Sequence, residues 1–410
     1  MRPSTELQGR VPTSLARLRA AIRARYAWIA LLLFFAICFV PDNRTGATNL
    51  YRLLVVVPML LCFHPADLPL IWQSAPARWF LLLCGWLSLT TLWDGWSYID
   101  FKLLLRELNV LALFYLVYLI DRRHRPRVPA LLTGLVTLGL IGAGLILWHW
   151  PQAWPPSWGH EAMARRGVFN HHLEVGRALA LVAMVALYQT LNVPRRVCAC
   201  AYGIATLALS ALVFWVQARG AYVVLGSGTL LLMALFPGRR AAMLVIAGGV
   251  LTVLLTLCFR QELMLVTGYI VERGTSMRLP IWHNGWAAIT GSWRWLLFGH
   301  GLSADSTNWN GDVEVRHYHN LLLNQAFYAG LMAVGLYLGW IASLLRAAVA
   351  DRRLWLWGAL VAAMQLGFMT DGDQLFVNPS SMLLAFLLPA FLLGFRVPAP
   401  VRTPSAACAA

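Results

Sequence analysis

DRRHRPRVPALLTGLVTLGLIGAGLILW, Asp121 to Trp148, joins a cluster of arginines to an uncharged apolar run from Val128 onward. At 1.5 Å per helical residue, that run covers a hydrocarbon core of ~30 Å. Upstream, residues 101–120 form a second, mostly apolar stretch that ends on the same arginines. Two spans joined by an Arg-rich loop make a hairpin whose loop stays in the cytoplasm, because Lys and Arg near span ends oppose translocation. The hairpin decides the fold class: an all-α polytopic integral membrane protein.

Working outward, similar runs recur near 26–41, 50–64, 77–93, 172–192, 197–217, 220–236, 241–258, 319–345, 353–370 and 375–395. With the first hairpin they predict about twelve transmembrane helices. The 410 residues are 59% hydrophobic and only 12% charged, as such a fold requires. Arginine returns at alternate connections, in "PRR" (194–196), "PGRR" (237–240) and "DRR" (351–353). Both termini are therefore expected in the cytoplasm. The chain divides into an Arg-rich segment 1–25, spans one to nine within 26–258, a large outer loop 259–318, spans ten to twelve within 319–396, and a tail 397–410. A shorter outer loop, 149–171, is rich in Trp and Pro, as suits a segment at the headgroup level. The larger loop is expected to be partly helical through "LPIWHNGWAAIT" and to continue in Gly-rich turns.

The net charge of +16 sits in short loops beside apolar spans, so it reads as a topology signal and argues against nucleic-acid binding. "SLARLRAAIRARY" (14–26) has the pattern of a basic helix lying on an anionic leaflet. The first span reads as a permanent anchor, because no small-residue cleavage site follows it. The seven cysteines form no disulfide framework, and Cys198 and Cys200 lack zinc-knuckle or CxxC spacing.

Arginines on the outer side gain nothing from the topology rule and need another account. Arg165, Arg166, Arg219, Arg260, Arg273, Arg278, Arg294 and Arg316 all fall there. Some would pair with Glu262, Glu272, Asp312 and Glu314; as a set they point to an anionic ligand at the outer leaflet. Arg219 stands in "VFWVQARGAYVVLG", where two spans meet in a tight turn. Snorkelling to lipid phosphate would explain it, but Gly220 beside it would permit a close backbone approach. In "YIDFKLLLRELN", Lys102, the only lysine, and Arg106 share a helical face. They would bind phosphate or pair with Asp100 and Glu107. In "NHHLEVGRALA", Glu174 and Arg177 have the spacing of an ion pair.

"VRHYHNLLLNQAFYAG", 315–330, places His319 and Asn320 at the mouth of a span, where the imidazole would act as a general base or a helix cap. His317 and His319 have no carboxylate at ligand spacing, so no metal site is expected. "FGHGLSAD", 298–305, reads as a tight turn that brings Gly299 and Gly301 against another backbone.

Taken together, "ARG" at 218–220, Arg278 in "SMRLPIW", "FGHGLSAD" and "HYHNLLLNQAFYAG" resemble the O-antigen ligase family, over residues of about 205–375. That superfamily also holds O-antigen polymerases and protein O-oligosaccharyltransferases. The resemblance implies a GT-C-like membrane fold and a metal-independent, cofactor-free, inverting glycosyltransferase in the bacterial inner membrane. It would move a polysaccharide from undecaprenyl diphosphate to a sugar hydroxyl of lipid A-core at the periplasmic face, among membrane lipids. The family's essential histidine corresponds to His319 and its arginines to Arg219 and Arg278. Lys102, Arg106 and Arg166 are further diphosphate candidates, and Asn320, His300 and Arg316 would support the site. Arg165 and Gly176 have the Arg-x10-Gly spacing of the polymerases, which keeps that activity as an alternative. A transporter of an anionic lipid-linked saccharide is another alternative, although repeated halves and broken midplane helices are not evident.

Overall fold

The computed structural model describes residues 19, 22–41, 43–93, 98–123, 127–148, 167–169, 171–216, 218–258, 278–310, 313–315, 317–372, 374–376 and 378–399. Each apolar run read from the sequence is helical over most of its length. The helices up to the second outer loop are α1 (Ala27–Phe39), α2 (Arg44–Cys62), α3 (Ala75–Thr90), α4 (Tyr98–Arg123), α5 (Val128–Trp148), α6 (His172–Asn192), α7 (Arg196–Trp215), α8 (Arg219–Leu235) and α9 (Arg239–Cys258). The loop holds α10 (Arg278–Thr290), α11 (Trp293–Phe298) and a small antiparallel hairpin, β1 (Asn308–Asn310) and β2 (Val313–Val315), with Asn308 opposite Val315. Then come α12 (Leu321–Ala350), α13 (Trp355–Asp371) and α14 (Met382–Gly394). Among the described residues six helices, α2, α4, α5, α6, α7 and α12, are long and apolar enough to cross a membrane. The expected helix in "LPIWHNGWAAIT" is present as α10, whereas most of 149–171 and all of 259–277 lie outside the described residues.

One boundary differs. The run 50–64 starts earlier, at Arg44, because Asn43 caps α2 by accepting from the Gly46 N–H at 2.7 Å. Its polar first turns, "RTGATN", therefore belong to the helix. α2 and α14 each contain a widened π turn, Arg52–Val56 and Met382–Leu387. Pro58 and Pro389 follow these turns; lacking an N–H, proline cannot close the bond four residues back, and the ladder slips.

α6 is buried along nearly its whole length, and α5, α7, α8 and α13 pack around it. A helix apolar all round needs such a sheath. α7 and α9 instead leave Val197, Ile204, Phe214, Met243, Ile246 and Leu257 exposed, an apolar exterior compatible with lipid.

The outer loop is fixed to α12 at a kink. Gly330 has φ 72° and ψ −177° inside the helix, which takes the carbonyls before it out of the helical ladder. The His300 N–H donates to Phe327 C=O at 2.8 Å, Gly301 N–H to Tyr328 C=O at 2.9 Å, and Trp86 Nε1 to Ala329 C=O at 2.9 Å. A Cβ on Gly299 would lie 2.4 Å from the Ala329 nitrogen. The close backbone approach expected of "FGHG" is thus present, and its partner is the kinked turn of α12.

Candidate active site

His319 immediately precedes α12 and holds a left-handed backbone, φ 52°, which side-chain-bearing residues seldom adopt. Its neighbours impose that conformation. Tyr318 is buried; its N–H donates to Asn324 Oδ1 at 3.2 Å and its carbonyl accepts from Trp282 Nε1 at 2.9 Å. Asn320 caps α12 by accepting from the Leu323 N–H at 3.0 Å, and its Nδ2 donates to Met369 C=O, also at 3.0 Å. Asn324 Nδ2 reaches Gly372 C=O at 2.9 Å. Two asparagines thus tie the start of α12 to the end of α13, and the histidine beside them turns toward that end.

There it meets Asp371. His319 Nδ1 lies 2.9 Å from Asp371 Oδ1, with the histidine side chain 29% exposed and the aspartate 4%. Arg177 of α6 holds the other side: Nη1 is 3.4 Å from Asp371 Oδ2 and donates to the Asp371 carbonyl at 2.6 Å. Its Nε donates to Ser381 Oγ at 3.3 Å, and its guanidinium stacks 5.0 Å from the Phe368 ring centre. Asp371 stands one residue past the apolar run 353–370. Burial would raise its pKa, but the hydrogen bond from His319 and the charges of Arg177, His319 and Arg278 outweigh burial and hold it below the usual carboxylate value. An ionised carboxylate only accepts, so Nδ1 donates to it, and in the neutral form of the ring the lone pair is then the one on Nε2. His317 lies beside His319, ring centres 4.0 Å apart and planes tilted by 56°, and its Nδ1 accepts the His319 N–H at 3.3 Å.

The two foremost arginines each open a helix that reaches the same corner. Arg278 opens α10, the helix whose Trp282 bonds to Tyr318, and its charge acts on Asp371. Arg219 opens α8, and Gly220 after it packs against α13. A Cβ there would lie 3.5 Å from Thr370 Oγ1 and 3.6 Å from Asp371 Cβ. Both arginines are half-buried.

Other expectations fare differently. Lys102 is exposed, with its ammonium 4.2 Å from the Tyr98 ring centre, while Arg106 is half-buried. Glu107 does not pair with them; it is buried and bonded to Ser88. Glu174 does not pair with Arg177 either, and instead lies 4.0 Å from Arg44. His300, expected to support the site, is a packing residue: its ring lies between Trp295 and Phe327, each with centres 4.5 Å away, and its Nε2 contacts Ala288 C=O at 3.2 Å. Arg165, Arg166 and Arg316 lie outside the described residues.

No known protein family matches this chain, and no curated protein matches it. The geometry must therefore speak for the chemistry. A carboxylate-oriented imidazole with an open ring nitrogen can take a proton from a hydroxyl, and guanidiniums beside it can hold an anion. Asp371 and Arg177, absent from the sequence-based site, complete that arrangement. A signal for Asp371 existed: "TDGD" (370–373) interrupts two apolar runs at a connection that the arginine alternation places on the same side as His319.

Proposed function

We propose that the chain is a membrane glycosyltransferase of the O-antigen ligase kind, GT-C-like with about twelve spans. In this reading it lies in the bacterial inner membrane with both termini cytoplasmic and its site periplasmic. The observation that carries the reading is the His319–Asp371 pair, with the charge of Arg278 acting on Asp371 and the first turn of α8, which Arg219 opens, packed against it. An acceptor hydroxyl, belonging to lipid A-core, attacks the anomeric carbon of the undecaprenyl-diphosphate-linked polysaccharide. The new bond forms from the hydroxyl oxygen to that carbon, the bond to the diphosphate oxygen breaks, and the proton passes to His319 Nε2. In-line displacement inverts the carbon. Asp371 keeps the imidazole in the productive tautomer and stabilises the imidazolium that forms. Arg219 and Arg278 offset the charge that grows on the departing diphosphate. The outer loop, fixed to α12 at Gly330, covers this corner and limits water that would hydrolyse the donor.

The test is transfer by purified protein in detergent with the lipid-linked donor and lipid A-core. Wild-type protein is expected to make product, with or without EDTA, and His319→Ala to lose a factor of about 10²–10⁴ while remaining folded. Near-normal transfer by His319→Ala would remove the general base. A transporter makes no product without a sealed membrane, so absence of any product would end the transferase reading.

A further inference from the structure

The wall that holds Asp371 continues into α2, where two arginines remain unexplained. Arg44, Thr48 and Arg52 follow at intervals of four and share one helical face. Arg52 lies ~12 Å along the axis from Arg44, inside a helix long and apolar enough to span a membrane. A cation at such a depth is costly and calls for a partner. Among the described residues, Arg52 finds only a neutral amide, Nη2 to Asn378 Oδ1 at 3.4 Å. Arg44 reaches Glu174 only at 4.0 Å, and its Nε is buried with no hydrogen-bond partner there. These contacts fix their location. Glu174 lies one turn before Arg177 on α6, Asn378 lies just before Ser381, and Arg177 bonds to Ser381. The two guanidiniums therefore border the candidate active site by way of α6 and the segment before α14. Arg52 also opens the π turn Arg52–Val56, a distortion that recurs at functional sites.

We propose that Arg44 and Arg52 form a second anion subsite, which takes a phosphate group carried by a membrane lipid. Guanidinium forks match phosphate oxygens in geometry and charge, and Arg44 at the start of the span with Arg52 two turns below it suits a phosphate seated just under the interface by a lipid whose chains stay in the bilayer. Resting on the transferase reading, the inference goes further: this lipid is the acceptor, held by its phosphate while the donor's diphosphate occupies Arg219 and Arg278.

Binding is measured first, because it needs no turnover. Full-length protein carrying Arg219→Gln and Arg278→Gln is titrated in detergent with phosphatidic acid, diacylglycerol or inorganic phosphate, and bound lipid is counted by native mass spectrometry. Phosphatidic acid is expected to bind well above diacylglycerol. Adding Arg44→Gln and Arg52→Gln is expected to weaken it by about tenfold for each guanidinium, with an unchanged melting temperature. Equal binding with and without these two changes would overturn the subsite. Displacement of phosphatidic acid by equimolar inorganic phosphate would assign a soluble anion and overturn the lipid. In the transfer assay, Arg44→Gln/Arg52→Gln is expected to raise the acceptor KM and leave the donor KM and kcat near wild type. A rise in the donor KM alone would overturn the acceptor assignment. Binding that survives while no transfer occurs would count against the transferase reading and not against the subsite.

Discussion

Arg177 shows how a single residue changes meaning between sequence and structure. On the helix it stands three residues from Glu174, a spacing worth only a few tenths of a kcal/mol at a surface (~0.2–0.5). A buried carboxylate competes far better, because leaving Asp371 without its cation would strand a desolvated charge. The pairing is decided by burial, which no local spacing encodes. His319 and Arg219 stand out in the sequence as polar groups at the mouths of apolar spans, whereas Arg278 lies within the outer loop and is picked out by the family resemblance. Asp371 is the acidic member, and the site is assembled from α6, α12 and α13. Arg177 contacts Asp371, and in the proposed reaction it would act by positioning that carboxylate. Arg177→Met is expected to lower kcat about tenfold with the donor KM nearly unchanged, and Arg177→Lys to restore part of it; a change confined to KM would assign Arg177 to donor binding instead. The carboxyl also leaves a signature in stability. Its folded pKa lies below the ordinary 3.8, so its contribution is fully present above that value and is lost as pH falls through the lowered one. The melting-temperature gap between wild type and Asp371→Asn should therefore be widest near neutral pH and shrink below about pH 4. A gap that is unchanged at about pH 3 would mean that Asp371 is not held ionised.

Elements are positioned by contacts that the apolar pattern foretells only in part. The glycines of "FGHG" announced a close backbone approach, yet nothing in the pattern named Gly330 as its partner, since one glycine in a long apolar run reads as a tolerated helical residue. The structure makes both glycines obligatory. A Cβ on Gly330 would lie 2.1 Å from the Leu297 carbonyl oxygen, and the positive φ adds strain of ~1–2 kcal/mol. At Gly335, further along the same helix, a Cβ would meet nothing within 4 Å. Gly330→Ala and Gly299→Ala should each lower the melting temperature in detergent and reduce transfer, because the outer loop and α10 lose their seat on α12. Gly335→Ala should be neutral or stabilising by up to ~1 kcal/mol. If all three behaved alike, the kink would not be what seats the loop. The start of α2 escaped the sequence pattern for a related reason: a capped polar turn carries no apolar signal, and it is the turn that brings Arg44 to the site.

At the scale of the whole molecule, α6 measures the distance between the two ends of the bundle. Arg177, in its second turn, is at the candidate active site; Arg195 and Arg196 follow its other end, Asn192, after a further 15 residues or ~22 Å of helix. The arginine loops gather at that far end. Arg240 donates to Thr190 C=O at 3.2 Å and to Pro194 C=O at 3.3 Å, so "PGRR" sits on "PRR". The separation of arginine loops from the candidate site is what alternate loops of a polytopic chain would produce, since each span reverses the side. The proposed orientation then makes a prediction about access. In a background with its seven cysteines replaced, Arg195→Cys and Asp305→Cys are both exposed positions, at the arginine end and in the outer loop respectively. A membrane-impermeant maleimide added to spheroplasts should label Asp305→Cys and spare Arg195→Cys. Inverted membrane vesicles should give the reverse. Labelling of both from one side would break the two-ended arrangement, and the reverse order would place His319 in the cytoplasm, away from any periplasmic acceptor.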